Sequence, residues 1–140
     1  MKHLILLFVT ATLICFSGCG DRGPKLYGVS GTVTYDGNPI AEGEIRFSPF
    51  NGQGRPDSGK ITDGEYELKV TAGKKKIKIF AASNDPALVG PPPPDMPKGG
   101  VNPPRDYIPD KYNVDSELSV EVEPKNGQSF PFELEKYAIL

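Results

Sequence analysis

From Leu26 onward, apolar and polar side chains alternate in short runs. In Leu26–Tyr35, Val29, Gly31, Val33 and Tyr35 share one face, and Ser30, Thr32 and Thr34 share the other. A period of two marks a strand that is buried on one side. The pattern recurs in Glu44–Pro49 with Ile45 and Phe47 inward, in Gly59–Thr62 with Ile61, and in Glu65–Val70 with Tyr66, Leu68 and Val70. It continues in Lys76–Ala82 with Ile77, Ile79 and Ala81, and in Glu117–Val122 with Leu118, Val120 and Val122. Phe130, Phe132 and Leu134 form the last inward set, and the outward Pro131 marks an edge position or a bulge. Asp36-Gly37-Asn38-Pro39, Asp63-Gly64, Thr71-Ala72-Gly73 and Pro124-Lys125-Asn126-Gly127 carry turn chemistry between these runs. Ile40, just past the first turn, is expected to fold back onto the core. Seven short strands with no helical period predict an all-β domain, an antiparallel β-sandwich.

The alternation stops between Ser83 and Tyr112, a stretch of 30 residues with nine prolines, including Pro91-Pro92-Pro93-Pro94. Proline fixes φ and has no N–H, so this segment is neither a central strand nor a helix interior. It reads as a semi-rigid excursion with polyproline II character. Long irregular segments in compact domains commonly carry function. The four-proline run is a spacer or a ligand for a polyproline-binding partner, with the spacer expected. The apolar tail Tyr137–Leu140 is expected to extend the last strand.

The first 18 residues have a different character. Lys2 and His3 precede an unbroken apolar and small run, Leu4–Phe16, followed by Ser17 and Gly18. Thirteen helical residues reach about 20 Å, short of a hydrocarbon core of ~30 Å. This is the pattern of a cleaved signal peptide, with small side chains at the cleavage site. The cysteine that follows completes a segment, Lys2–Cys19, that resembles the bacterial lipoprotein signal, with Phe16 where Leu is usual. That resemblance implies that Cys19 becomes the mature N-terminus, carrying a thioether-linked diacylglycerol and an amide-linked acyl chain. Two or more chains anchor a protein stably. Gly20 follows the modified cysteine and by resemblance to sorting rules favours the outer membrane. The chain then divides into a signal peptide at 1–18, a lipidated N-terminus and tether at 19–25, and a β domain at 26–140 with the proline-rich loop at 83–112.

Composition narrows the chemistry. Of the two cysteines, Cys15 lies in the signal, so the processed chain has no partner for a disulfide. The one histidine, His3, also lies in the signal, which removes the commonest general base and any His-ligated zinc site. Removing Lys2 from the 16 basic residues leaves 15 against 18 acidic, a net charge near −3. With no basic run beyond Lys74-Lys75-Lys76, nucleic acid is not an expected partner. Asp36, Asp63 and Glu65 fit no calcium-loop spacing, and turns favour Asp on their own account. No metal or cofactor is expected. Glu65, Glu67 and Lys69 read as a solvated strand face.

Val29-Ser30-Gly31-Thr32-Val33-Thr34-Tyr35-Asp36-Gly37-Asn38-Pro39-Ile40 resembles the opening strand of carboxypeptidase-regulatory-like, transthyretin-like domains. Thr62-Asp63-Gly64-Glu65-Tyr66-Glu67-Leu68 resembles their central hairpin, shortened by one residue. Lys76-Ile77-Lys78-Ile79 resembles a further strand of that domain, and Ile108-Pro109-Asp110-Lys111-Tyr112 with Ser116–Val122 resembles the ending seen in small bacterial lipoproteins of this type. The resemblance spans about residues 28–135. It implies a seven-stranded prealbumin-like (Ig-like) sandwich that is extracytoplasmic and without catalytic activity. The candidate partner-binding residues are Asp106, Tyr107, Asp110, Lys111 and Tyr112, which mix carboxylates and aromatic rings on a proline-ordered loop. In the competing reading, Tyr107, Ile108 and Tyr112 pin that loop to the domain. The expected function is a lipid-anchored, non-catalytic binding or structural module of the cell envelope, its partner an envelope protein or a glycan. The alternatives are a carboxylate-based glycan-active enzyme and an accessory subunit that docks an envelope complex through the proline loop.

Overall fold

The computed structural model describes residues 23–95 and 103–136. The signal peptide at 1–18, Cys19, residues 96–102 of the proline loop and the tail at 137–140 lie outside the described residues.

The domain is all-β. Its strands are β1 (Leu26–Tyr35), β2 (Asn38–Pro39), β3 (Glu42–Pro49), β4 (Asp57–Thr62), β5 (Glu65–Thr71) and β6 (Gly73–Phe80). Then come β7 (Ala82–Ser83), a single helical turn α1 (Pro86–Val89), β8 (Arg105–Asp106), a 3-10 turn at Asp110–Tyr112, β9 (Ser119–Val122), β10 (Gln128–Ser129) and β11 (Phe132–Leu134). One curled sheet runs in the order β10-β1-β5-β4-β3-β6-β9, with β2 and β11 also on β1, and β7 and β8 form a separate ladder. All seven expected strands are present. The last begins at Phe132, past the exposed Pro131, and a further short strand, β10, precedes it.

β1 is paired along both edges. Seven residues of it pair antiparallel with β5, from Leu26 opposite Thr71 to Thr32 opposite Glu65. Beyond them Thr34 and Tyr35 pair with β2. On the other edge β10 and β11 run parallel to β1, Val29 opposite Gln128 and Val33 opposite Phe132. This departs from the expected all-antiparallel sheet. After β9 the turn at 123–127 returns the chain to the end where β1 begins, so the last strands run beside β1 in its own direction.

The turns fix the register. Asp63 and Gly64 both have positive φ, 51° and 78°, the two-residue turn whose twist suits a hairpin. The Gly64 carbonyl accepts from the Val33 amide at 2.7 Å, and the Gly64 amide donates to the Ile40 carbonyl at 2.8 Å. The β4–β5 hairpin is thereby bonded to the β1–β2 turn. β4 and β5 pair only at Ile61–Tyr66 and Thr62–Glu65, and the sheet curls at this corner. Ala72 alone joins β5 to β6 although those strands share no ladder, so the curl brings the two arms of the sheet face to face there.

The core lies inside the curl. Val29, Val33, Ile45, Phe47, Ile61, Tyr66, Val70, Ile77, Ile79, Val122, Phe132 and Leu134 are buried, as their alternation requires, and Ile40 joins them. Tyr35, Leu68, Leu118, Val120 and Phe130 are half-buried against this core instead of enclosed. Tyr66 bridges the arms. Its ring lies 6.1 Å from Phe47 and 6.3 Å from Phe132, and its hydroxyl donates to the Phe130 carbonyl at 2.7 Å. Burial pushes the Tyr66 phenol well up. β6 starts three residues earlier than its apolar pattern, because Lys75 occupies an inward position at 2% exposure. Its ammonium lies 3.8 Å from Asp57 Oδ2 and donates to Thr71 Oγ1, while Asp57 Oδ2 accepts from the Thr71 amide at 3.1 Å. A buried cation is tolerated only with such partners. Lys76 and Lys78 are half-buried, and the Lys78 ammonium reaches the Val114 carbonyl at 3.4 Å.

Gly31 sits where β1 is most crowded. A Cβ there would lie 2.3 Å from the Phe130 carbonyl oxygen and 2.9 Å from the Tyr66 ring. A Cβ at Gly28 would meet only Asn126 Oδ1 at 3.7 Å. We expect Gly31→Ala to destabilise the domain by about 2–3 kcal/mol, as overpacking does, and Gly28→Ala to change stability by under about 0.5 kcal/mol. Urea unfolding of the two variants checks this. Equal effects would show that β1 is not constrained at Gly31.

Candidate functional site

The candidate site is the end of the domain from which the excursion leaves. β7 and β8 close its neck, with Ala82 opposite Asp106 and Ser83 opposite Arg105. Past β7, Asp85 caps α1. Its Oδ1 accepts from the Ala87 amide at 2.9 Å, and Pro86 takes the first helical position, where a missing N–H costs nothing. Arg105 ties the far side back, its Nη2 donating to the Gly90 carbonyl at 2.7 Å and to the Pro91 carbonyl at 3.3 Å. Long as it is, the proline segment is thus fastened at both ends.

The five sequence-derived candidates lie along the returning limb, Asp106 and Tyr107 at the neck and Asp110, Lys111 and Tyr112 on the 3-10 turn. Asp106 is exposed, yet its carboxylate is engaged internally. Oδ1 accepts from the Ile108 amide at 2.9 Å and the Ala81 amide at 3.5 Å, and Oδ2 accepts from Asn113 Nδ2 at 3.4 Å. The Tyr107 amide donates to the Ala81 carbonyl at 3.0 Å, and its ring tilts at 59° against Tyr35, 5.5 Å between centroids. Burial, then the charge of Asp106, pushes the Tyr107 phenol up. Ile108 enters the core. Tyr112 packs against the core and its hydroxyl accepts from the Glu135 amide at 3.1 Å, with the Lys111 ammonium 4.7 Å above its ring. Asp110 is exposed, and its backbone carbonyl accepts from the amides of Asn113 and Asp115. These contacts pin the limb to the sheet, and Tyr107 and Asp110 keep surface facing solvent.

Two buried polar residues that the sequence pattern did not single out complete the pinning. Asn113 donates to the Ile108 carbonyl at 3.0 Å, and the Ser116 hydroxyl donates to the Ile77 carbonyl and accepts from the Leu118 amide at 3.3 Å. No spacing signal identifies them. α1 departs from the expectation of no helix in this stretch; the signal that marks it is Asp85-Pro86 and Gly90, a cap, a first-turn proline and a stop.

Between α1 and the β1–β2 turn lies a cleft of about 280 Å³, with Tyr35 and Tyr107 on its floor and Asp36, Pro39, Ala87 and Leu88 around it. A shallower depression continues from Leu88 and Tyr107 past Glu42, Thr62 and Asp63. Its lining joins two aromatic rings to one carboxylate, Asp36, and one cation, Lys136, which suits a flat polar ring. Asp36 and Asp63, weighed as calcium ligands, both sit in turns at positive φ, and Asp36 Oδ1 accepts from the Lys136 amide at 2.8 Å. Among the described residues no three His, Cys, Asp or Glu side chains come together as a metal site.

No family model matches the chain, and no curated protein matches it. Among solved structures, a DUF3823 family protein from Parabacteroides merdae is similar at 13% identity with a TM-score of 0.40. The match covers 79% of this chain and 46% of that one, so this chain spans less than half the length of that protein. A likeness this distant carries no part of the functional argument.

Removing the Asp106 carboxylate leaves the Ile108 amide and Asn113 Nδ2 short of an acceptor. We expect Asp106→Ala to cost about 1–3 kcal/mol and Asp106→Asn, which keeps one acceptor oxygen, to cost less. Thermal unfolding of both variants checks it. A neutral Asp106→Ala would mean that the carboxylate does not hold the limb.

Proposed function

We propose that the chain is a lipid-anchored protein of the cell envelope, favouring the outer membrane, whose domain is a non-catalytic binding or structural module. We read that domain as a prealbumin-like sandwich of the carboxypeptidase-regulatory-like, transthyretin-like kind. The observation that carries this reading is the segment Leu4–Cys19, an apolar run, a small pair and a cysteine, with β1 beginning seven positions later at Leu26. Several features support the domain assignment. The segment Val29–Ile40 falls on β1, its two-residue turn and β2, and Thr62–Leu68 falls on the β4–β5 hairpin. Ile108–Tyr112, which resembles part of the ending of such domains, falls on the pinned limb and its 3-10 turn.

What supports a binding role over catalysis is how the candidate residues are used. Asp106, next to Tyr107 in sequence, accepts hydrogen bonds from the limb itself, and Asp36, next to Tyr35, accepts one from the Lys136 amide. The cleft over Tyr35 and Tyr107 is the surface we assign to an envelope protein or a glycan. Docking of an envelope complex through the excursion is a second reading, favoured by the exposed Leu88 on α1 and Val114 beyond the 3-10 turn.

The anchor is tested by metabolic labelling with a radioactive fatty acid and by detergent-phase partitioning. We expect the wild-type chain to take up label and to enter the detergent phase, and Cys19→Ser to lose both. A Cys19→Ser variant that labels and partitions like the wild type would overturn the anchored reading.

A further inference from the structure

The two ends of the domain differ in charge. The topology gathers the starts of β1 and β6 with the ends of β3, β5 and β9, since Leu26 pairs with Thr71, Pro49 with Lys75 and Gly73 with Val122. The segments closing this end are 23–28, 50–57, 71–75 and 123–127. They hold five basic side chains, Lys25, Arg55, Lys74, Lys75 and Lys125, against Asp57 and Glu123. Both carboxylates are occupied, by Lys75 and Lys125 respectively. Among the described residues no carboxylate pairs with Lys25, Arg55 or Lys74. The opposite end, in segments 36–41, 63–64, 81–90, 105–115 and 135–136, holds seven acidic side chains against Arg105, Lys111 and Lys136. Three cations with no carboxylate partner among the described residues thus lie together at the end where the tether leaves, while others, such as Lys60 and Lys69, lie along the strands.

Exposed apolar side chains lie there too. Leu26 is 49% exposed and Phe50 is 51% exposed. The Lys74 ammonium sits 4.1 Å from the centroid of the Phe50 ring, and the Phe50 amide donates to the Lys74 carbonyl at 3.1 Å. One projection thus presents an aromatic ring with a cation beside it, flanked by Arg55 on the same loop.

We propose that this end seats on the surface of an anionic bilayer, with Phe50 and Leu26 entering the headgroup region and Lys25, Arg55 and Lys74 on the lipid headgroups. Rings and long basic side chains suit that interface, because the apolar part leaves water while the charge stays at the headgroup level. The charge complementarity is with the lipid: each cation near an anionic surface changes binding about fivefold. The inference deepens the anchored reading and rests on it for proximity. Seven residues from Cys19 to Leu26 reach at most about 25 Å, which holds this end of the domain close to the lipid. The acidic end, with its cleft, then faces away from the membrane.

The chain has no tryptophan, so a single substitution makes a clean reporter. Full-length Phe50→Trp protein, isolated from membranes, is mixed with vesicles of zwitterionic lipid or with vesicles holding about one-third phosphatidylglycerol, each carrying brominated acyl chains. Flotation in high salt, which screens surface charge, reads the anchor alone. Quenching in low salt reads the docking. We expect flotation in both lipids and strong quenching only in the anionic vesicles, with none for Leu88→Trp at the opposite end. Adding Arg55→Glu and Lys74→Glu is expected to lower the docked-to-undocked ratio at least tenfold. Flotation with equal, weak quenching in both lipids would overturn the docking and leave the anchor standing. Quenching in anionic vesicles without flotation would support the docking and remove the anchor. Loss of both would overturn both. If the indole of the Phe50→Trp protein responds to a soluble acidic polysaccharide but not to vesicles, this end is reassigned to a glycan and the membrane proposal is overturned.

Discussion

Strand β1 is the constraint on which the domain depends. It is hydrogen-bonded along both edges, to β5 and β2 on one side and to β10 and β11 on the other. Its neighbours therefore come from both ends of the chain. The Gly28 amide donates to Asn126 Oδ1 at 2.8 Å, across 98 residues of sequence. The closest approach is at Gly31, where the Phe130 carbonyl and the Tyr66 ring occupy the space a side chain would need. No disulfide shares this task in the described residues, so closure rests on packing and on the ladder bonds.

The two ends of the curled sheet then acquire different chemistry. At one end the chain crosses from β5 to β6 through a single residue, and Lys75, Asp57 and Thr71 fill the crossing with a bonded polar group. The remaining cations and two apolar side chains are left facing solvent. At the other end the excursion leaves through β7 and returns through β8, held by Asp106, Asn113 and Ser116. A cleft over two tyrosines results. A sheet of generic strands thus separates a basic end, assigned to the lipid, from an acidic end, assigned to the partner.

Local pattern made much of this legible. β1 spans the residues its alternation marks, and Asp63-Gly64 forms the turn its dipeptide demands. What the pattern could not show follows from contacts distant in sequence. Lys75 reads as part of a basic run, and Asp57, 18 positions earlier, together with Thr71 lets it turn inward. The parallel pairing of β10 and β11 with β1 depends on where the excursion returns the chain, which no short window contains. Half-burial of Leu118 and Val120 follows from β9 lying at the sheet edge, with no strand among the described residues on the side away from β6. At the candidate site, the residues singled out at 106–112 all fall on the returning limb. Their division between pinning and solvent is set by Asn113, Ala81 and Tyr35, whose positions relative to that limb the sequence does not reveal.

The central claim is that the closed sheet holds the returning limb in place. Native-state amide hydrogen exchange, read residue by residue, tests it most directly. The Val33 amide, bonded to Gly64, is expected to exchange only through global unfolding. The amides of Tyr107 and Ile108 are expected to approach that protection, and those of Leu88 and Val89 to exchange much faster. Exchange of Tyr107 and Ile108 as fast as that of Leu88 would show that the limb opens independently of the sheet, and would contradict the account.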